Sequence, residues 1–243
     1  MDIKQSLIAN NNWWTGEKVN SKFLLGRKRE EFNNIIEKLD EKRILSIVGP
    51  RRVGKSILIY QTINYLLEDK KLDSKRILFF SGDDPSLFFN EDDKLSDVLD
   101  VYFKEILSEP IAKLNSKVYI FIDEVHFIKN WQNFLKVYFD RKYDVKFIVT
   151  GSSSLHLYKD ANESLMGRIE NIHVLPLTFN QFLNFYQTYI EEETDIVIPK
   201  FNLDELTDSF KKLDSFYYDE KLKLKIGKVL KQYILARRIS RVF

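Results

Sequence analysis

The stretch that decides the fold is Gly49-Pro50-Arg51-Arg52-Val53-Gly54-Lys55-Ser56, which fits the pattern G-x-x-x-x-G-K-[ST]. It lies between an apolar run that predicts a strand and a pattern from Ile57 onward that predicts a helix. Glycines let backbone N–H groups curve around an anion, and the helix that follows points its positive end at the phosphates. Residues 49–57 are therefore predicted to bind a nucleotide, with Lys55 at the β/γ-phosphates and Ser56 on Mg²⁺. The alternative is a helix N-terminus with a chance pair of glycines.

Two acidic residues end a second apolar run, Val118-Tyr119-Ile120-Phe121-Ile122-Asp123-Glu124. At the end of a buried strand, Asp123 can hold Mg²⁺ and Glu124 can orient or deprotonate a water molecule. Two solvated acids at a strand end are the alternative. The chain between Lys55 and Asp123 has room for a helix, a strand and another helix, so the phosphate loop favours the catalytic interpretation.

Short runs rich in apolar, β-branched or aromatic residues predict five strands, at 43–48, 76–80, 117–122, 146–150 and 171–175. Segments with helical spacing of apolar residues lie between them. Strands that alternate with helices predict an α/β domain whose mainly parallel sheet is covered on both faces. This core is expected at 25–177, after an N-terminal extension at 1–24.

A smaller helical region, resembling a lid, is expected at 178–243. Thr178 and Gln181 have the spacing of a capping box, and apolar residues at helical spacing follow them. The last part, residues 221–243, contains eight Lys or Arg and no acidic residue. This basic segment is a candidate contact for DNA or RNA. A solvated helix face or an edge strand protected by lysines is the alternative.

Composition excludes several classes of protein. The 243 residues include no cysteine and only three histidines, which excludes thiol chemistry and leaves little material for a zinc site. The formal net charge is only +2, so the whole molecule is no polyelectrolyte. No apolar run approaches the roughly 20 residues needed to cross a bilayer, and no signal peptide is visible. A cytoplasmic protein without a membrane partner is expected.

Further stretches resemble the AAA+ type of P-loop ATPase. More narrowly, they resemble the prokaryotic, often archaeal, predicted AAA+ ATPases that usually carry an uncharacterised C-terminal domain. These stretches are Asp123-Glu124-Val125 followed by Trp131, Thr150-Gly151-Ser152-Ser153-Ser154, Gly167-Arg168, Leu175-Pro176-Leu177-Thr178-Phe179, and Asn12-Trp13-Trp14 ahead of the domain. The resemblance covers residues 12 to about 190. It implies a P-loop NTPase sheet ordered 5-1-4-3-2. In this order the strand ending at Thr150 lies between the strand that leads to Lys55 and the strand that ends at Asp123.

The resemblance also implies roles for single residues. Thr150 or Ser152 would be the sensor between Glu124 and the γ-phosphate, and a turn with a helix cap is the alternative for residues 150–154. Arg168, just before the fifth strand, would be the arginine finger that reaches a neighbour's nucleotide in a homo-oligomer. A surface arginine is the alternative there.

Three further features have more than one possible role. The Arg51-Arg52 pair either assists the phosphate charge or pairs with acids such as Asp83 or Asp84. The Trp13-Trp14 pair is expected to pack in the core rather than to stack on adenine. His126 occupies a position where the family commonly has glutamine, and a structural role or a place near the γ-phosphate is expected.

The resemblance stops towards the C-terminus. Family members generally continue with a Gly-Gly-Phe-Pro turn after a Tyr-Leu stretch, whereas Gln232-Tyr233-Ile234-Leu235 is followed here by Ala236-Arg237-Arg238. A shortened or frame-altered C-terminus is therefore expected. The sensor-2 arginine of many AAA+ lids has no assignable counterpart.

These residues predict Mg²⁺-dependent binding of ATP and ADP, and hydrolysis of ATP. A nucleotide-operated switch with negligible hydrolysis, which could associate with nucleic acid, is the alternative, and steady-state turnover separates the two. A small-molecule kinase would share the phosphate loop, but Glu124 beside Asp123 favours water as the acceptor.

Overall fold

The computed structural model describes residues 2–24, 28–88, 95–152, 165–178 and 181–182, together with residues 227, 230, 231, 233 and 234. The chain forms two compact units, Met1–Leu175 and Pro176–Phe243. The first unit contains the sheet described below. Most of the helical region expected at 178–243, including most of its basic segment at 221–243, lies outside the described residues.

Five parallel strands form one sheet in the order β2-β3-β4-β1-β5. Read from the other edge, this order is 5-1-4-3-2, so the predicted topology is confirmed. The strands are β1 (Ile44–Gly49), β2 (Ile77–Ser81), β3 (Val118–Asp123), β4 (Val145–Ser152) and β5 (Ile169–His173).

The strands β1, β2 and β3 each lie one residue later than predicted, whereas β4 and β5 differ more. The β5 strand begins at Ile169 rather than at Asn171, because Ile169 pairs with Ile44 at the start of β1. The interpretation of Thr150 to Ser152 as a turn is wrong, since these residues belong to β4 and pair with the last three residues of β1. The parallel ladder therefore extends β4 beyond its apolar run.

Five α-helices surround the sheet in the described part of the chain. They are α1 (Ile3–Asn10), α2 (Glu30–Glu37), α3 (Lys55–Asn64), α4 (Leu95–Val101) and α5 (Trp131–Asp140). Helices α3 and α4 continue into π-helical turns at Tyr65–Asp69 and Tyr102–Ile106. Short 3₁₀ turns lie at Asn12–Thr15, Ser21–Phe23, Ser74–Arg76, Ile111–Lys113 and Val125–Phe127.

Each face of the sheet has its own hydrophobic core. One core joins the sheet to α1, α4 and α5 and includes Leu7, Val98 and Leu135. The other joins the sheet to α2 and α3 and includes Ile35 and Ile59. Because both faces are covered, the strands are buried along most of their length and only their ends are available for function.

The N-terminal segment covers the free edge of β2. The buried Asn11 amide donates to the Phe79 carbonyl oxygen at 2.8 Å and accepts from the Phe79 N–H at 2.6 Å. The indole N–H groups of Trp13 and Trp14 both donate to the Ile77 carbonyl oxygen, at 3.2 Å and 2.9 Å. Both tryptophans therefore pack against the edge strand, and three side chains supply the hydrogen bonds that a neighbouring strand would make.

A buried lysine bonds β4 to the segment that precedes β1. Lys146, near the start of β4, donates from its ammonium to the carbonyl oxygens of Glu41 and Arg43, both at 2.7 Å. These bonds fix the segment that leads into β1. The lysine is 1% exposed, so it depends on these two carbonyl groups for its polar contacts.

In the second unit, the predicted capping box is present. The Thr178 N–H donates to Gln181 Oε1 at 2.9 Å, and the Gln181 N–H donates to Thr178 Oγ1 at 3.2 Å. A helix therefore begins here. Among the described residues, no helix has the length and apolar character that crossing a membrane requires.

Candidate functional site

The loop 49–56 joins the end of β1 to the start of α3. Its backbone is left-handed at Arg52, where φ is +65°, and at Gly54, where φ is +98°. Glycine adopts this conformation without strain. A side chain on Gly49 would overlap the carbonyl oxygen of Val174. Local geometry thus requires both glycines of the motif, and the loop curves around the N-terminus of α3.

The Lys55 side chain folds back over this loop. Its ammonium donates to the carbonyl oxygens of Gly49 and Pro50, both at 3.0 Å. Burial lowers the pKa of Lys55, while the nearby carboxylates of Glu124 and Asp123 act in the opposite direction. The loop therefore holds a positive charge that interacts electrostatically with Asp123 and Glu124 at the end of β3.

The carboxylate of Asp123 links three elements of the fold. Its Oδ2 accepts a hydrogen bond from Ser56 Oγ, on the first turn of α3, at 2.6 Å. Its Oδ1 accepts a short hydrogen bond from Thr150 Oγ1 on β4. A hydroxyl and a carboxylate are oxygen ligands of the kind Mg²⁺ prefers, and this ion commonly keeps several waters beside one or two protein ligands. The pair formed by Ser56 and Asp123 therefore fits a magnesium ion.

The Thr150 hydroxyl lies between the two acids. Besides donating to Asp123, it accepts a hydrogen bond from the Glu124 N–H at 2.9 Å. The residue is completely buried, so these contacts hold both acidic residues in register with β4. Its assignment as a sensor of the γ-phosphate stays a prediction. The side chain of Ser152, the other sensor candidate, lies outside the described residues.

The backbone of Glu124 has an unusual conformation. Gly82, which the sequence did not single out, leaves the space that this conformation needs. The φ of Glu124 is +48°, in the left-handed region. The Gly82 N–H donates to the Asp123 carbonyl oxygen at 2.8 Å, and a Cβ on Gly82 would lie 2.7 Å from the Glu124 carbonyl oxygen. A glycine directly after a strand was the available signal. Gly82 therefore lets the turn after β2 approach the turn after β3.

The side chain of Glu124 meets that of His126. Glu124 Oε2 lies 3.3 Å from His126 Nδ1, and both side chains are about three-quarters buried. The imidazole ring also packs against the Phe127 ring, with 4.4 Å between the centroids. The expected structural role of His126 thus has a specific contact, which is with the acid next to Asp123.

The other loop residues have varied surroundings. Arg51 and Arg52 are exposed, and the charge of Arg51 contributes to the lowered pKa of Lys55. The Val53 carbonyl oxygen accepts from Arg29 Nη1 at 2.9 Å, which braces the loop from the segment before α2. Ile57 is half-buried on the first turn of α3.

The acids considered as partners for these arginines have hydrogen bonds of their own. Asp84 Oδ2 accepts from Asn10 Nδ2 at 2.8 Å, and Asp83 Oδ1 accepts from Ser81 Oγ at 2.5 Å. Asp84 therefore ties the end of α1 to the turn after β2.

Arg168 lies far from this cluster along the strands. It directly precedes β5, whose first residue pairs with Ile44 at the start of β1, whereas the phosphate loop follows the end of β1. Its guanidinium donates to both carboxylate oxygens of Asp140, at 2.7 Å and 3.2 Å. This ion pair lowers the pKa of Asp140. The structure thus brings together Lys55, Ser56, Asp123, Glu124 and Thr150. It leaves Arg168 at the other end of the strands, where β1 and β5 begin.

Comparison with known families finds one matching family model. It is described as an AAA domain and matches residues 41–183, which include the phosphate loop, both acids and Arg168. The match therefore covers more than half of the chain and contains all of the predicted site residues.

Two curated relatives are themselves uncharacterised. One, from Methanocaldococcus jannaschii, is 30% identical over 217 residues, which are 86% of this chain and 44% of the relative. The other, from Haemophilus influenzae, is 30% identical over 167 residues, which are 68% of this chain and 38% of the relative. The chain thus spans less than half the length of these relatives.

Among solved structures, the extended conformation of the S. cerevisiae Hsp104:casein complex is similar, with a TM-score of 0.50 and 19% identity. The similarity covers 71% of this chain and 31% of the Hsp104 chain. At this level of identity the likeness concerns the fold.

Proposed function

The chain belongs to the AAA domain family, and from that premise we propose that it binds Mg-ATP at residues 49–57 and hydrolyses it. The observation that carries this proposal is the 2.6 Å contact between Ser56 Oγ and Asp123 Oδ2. In P-loop NTPases, a serine or threonine of the loop and an acid from a neighbouring strand hold the magnesium ion together. Both ligands already face each other here, directly beside the loop.

The chain's own groups supply the positive charge for the phosphates. The backbone N–H groups at the start of α3 point towards an anion held by the loop. When the nucleotide enters, the Lys55 ammonium exchanges its two carbonyl contacts for β/γ-phosphate oxygens. Bound Mg²⁺, held by Ser56 and Asp123, would neutralise charge that develops on the phosphate oxygens.

Glu124 is the proposed general base. Its carboxylate orients the attacking water and takes its proton as the water oxygen bonds to the γ-phosphorus. The bond between the γ-phosphorus and the β–γ bridging oxygen breaks, and ADP leaves with that electron pair. The hydrogen bond from the Glu124 N–H to Thr150 and the space left by Gly82 fix the backbone of the base. Thr150 acts here by positioning the two acids.

Arg168 is proposed to act on the nucleotide of a second copy of the chain. Its position before β5 places it where the parallel strands begin, whereas the phosphate loop of its own chain follows the carboxyl end of β1. The same position is accessible to a neighbour, since Arg168 is bonded to the exposed end of α5. Release from Asp140 would free its guanidinium for a phosphate. This role requires a homo-oligomer.

Two variants test the proposal. Lys55→Ala should lose most of its affinity for Mg-ATP in calorimetry, because the point charge on the β/γ-phosphates is removed. Glu124→Gln should bind Mg-ATP normally but release phosphate about 10²- to 10⁴-fold more slowly. The matched controls are Lys104→Ala and Glu105→Gln, whose side chains form ion pairs at the surface.

The outcomes separate the alternatives. Equal affinity in wild type and Lys55→Ala would show that the loop does not bind the nucleotide. Undiminished phosphate release by Glu124→Gln would place the base elsewhere. Tight binding of Mg-ATP by the wild type without turnover would replace the hydrolase by a nucleotide-operated switch.

A further inference from the structure

We propose that His126 is a positioning residue, which holds the carboxylate of Glu124 in the orientation needed at the phosphate loop. The inference deepens the proposed function and rests on Glu124 acting there as the base. The backbone of Glu124 is fixed, but its side chain can still rotate. His126 would limit that rotation.

The first argument is the pairing of two buried polar atoms. Glu124 Oε2 and His126 Nδ1 are both shielded from solvent, and they lie 3.3 Å apart. Within the described part of the chain, neither atom makes a hydrogen bond, and each is the polar atom that faces the other. A buried polar atom without a hydrogen bond is costly, so a small rotation of the Glu124 carboxylate that turns the 3.3 Å approach into a hydrogen bond would be favoured.

The second argument is the rigidity of the turn that carries both residues. The Glu124 N–H is bonded to Thr150, and the Phe127 N–H donates to the Glu124 carbonyl oxygen at 3.1 Å. The His126 ring is held against Phe127. The backbone of the turn and the His126 ring therefore both have defined positions. His126 Nδ1 can then restrict the position of the Glu124 carboxylate, whose side chain is flexible.

The third argument is the nearness of the carboxylate to the phosphate loop. The charge of Glu124 is the strongest electrostatic influence opposing the effect of burial on Lys55. The carboxylate that contacts His126 is therefore also within electrostatic range of the ammonium at the phosphate loop. A base displaced by about 1 Å can lose roughly 100-fold in rate, so this orientation matters for turnover.

Two substitutions separate the polar contact from the packing of the ring. His126→Asn replaces Nδ1 by an amide nitrogen on the same carbon position, and so keeps a donor for Glu124 but loses the ring. His126→Phe keeps a ring against Phe127 but has no polar atom. We expect kcat for Mg-ATP to fall about 10- to 100-fold in His126→Phe. His126→Asn should stay within about threefold of wild type, and Mg-ATP affinity should be unchanged in both variants.

Equal kcat in His126→Phe and wild type would overturn the inference. Loss of turnover in His126→Asn with retention in His126→Phe would also overturn it, because packing of the ring would then be the relevant role.

A second measurement does not depend on turnover. The ¹⁵N resonances of the His126 ring, assigned by their disappearance in His126→Phe, should shift in Glu124→Ala, while those of His173 should stay unchanged. Absence of this shift would overturn the contact itself. If wild-type protein releases no phosphate but the resonances shift, the proposed hydrolysis fails while the contact between His126 and Glu124 stands.

Discussion

Replacing Thr150 by valine tests the arrangement of the two acids directly. Valine has nearly the shape of threonine, so the change removes the hydroxyl and leaves the packing of β4 in place. The hydroxyl makes two hydrogen bonds, one to the Asp123 carboxylate and one from the Glu124 N–H. Both partners lose their contact at once, because no solvent reaches the completely buried position.

The structure sets the size of the effect. An amide N–H left without an acceptor costs about 1–3 kcal/mol, and the lost bond to a charged carboxylate about 1.5–3 kcal/mol. The additional buried methyl group returns roughly 1 kcal/mol. The free energy of unfolding should therefore fall by about 1.5–5 kcal/mol, a large part of the 5–15 kcal/mol typical of a domain. Phosphate release should fall as well, since both acids lose a fixed position.

The matched control is Thr62→Val. Thr62 is equally buried, and its hydroxyl donates to the Leu58 carbonyl oxygen at 2.7 Å within α3. That carbonyl keeps its helical hydrogen bond after the substitution, so the net cost should be within about 1 kcal/mol. Urea unfolding of both variants measures the difference. Equal losses would show that the Thr150 hydroxyl does not hold Asp123 and Glu124, and the positioning role would have to be abandoned.

The remaining predictions concern other regions. Specific ATPase activity should rise with protein concentration in wild type, and Arg168→Ala should abolish the rise, because a finger in trans supplies ~10³-fold or more. A rate independent of concentration in a monomeric protein would exclude this role, and Asp140→Asn, which frees the arginine, should retain the rise. Removal of residues 221–243 should abolish binding to fluorescent duplex DNA but not to Mg-ATP, and the binding should weaken with salt with a log-log slope of about −0.9 per phosphate. No binding at low salt by the intact chain would contradict it. Asn11→Ala should lower the free energy of unfolding by about 2–4 kcal/mol, because both backbone groups of Phe79 lose a partner. Asn12→Ala is the control, since the Asn12 amide is only partly buried and donates to Glu17 and Lys18 rather than to a strand. An equal loss in both variants would argue against the edge-covering role.

The parts of the fold that follow from local patterns could be predicted from the sequence. Alternation of apolar strands with helical spacing gave the α/β class, and the resemblance gave the strand order that the structure has. The cluster of Lys55, Ser56 and Asp123 could be predicted as well. Loops that follow the carboxyl ends of parallel strands lie at the same end of the sheet.

Contacts between distant residues could not be predicted. The partner of Asn11 lies 68 positions away, and an asparagine before two tryptophans carries no local signal for covering a strand edge. Gly151 and Ser152 have low strand propensity and suggested a turn after the apolar run, but pairing with β1 includes both in β4. The left-handed backbone of Glu124 depends on Gly82 from another turn, which no pattern around Glu124 indicates.

The buried lysine near the start of β4 couples folding to proton concentration. Burial lowers the pKa of Lys146 to about 8, below its ordinary value of 10.5. Between these values the unfolded chain holds a proton that the folded chain has released, so this residue makes the folded state more stable as the pH rises. The neutral amine still has two N–H groups, enough for the carbonyl oxygens of Glu41 and Arg43.

Two tyrosines limit the pH range over which stability rises. Burial raises the pKa of Tyr119 and Tyr138 to about 12, from an ordinary value of 10.0. Above about pH 10 the unfolded chain loses these protons first, and stability falls again. The hydrogen bonds from β4 to the segment before β1 can thus persist after Lys146 loses its proton. Mild alkali removes this buried charge, and only stronger alkali deprotonates the two tyrosines.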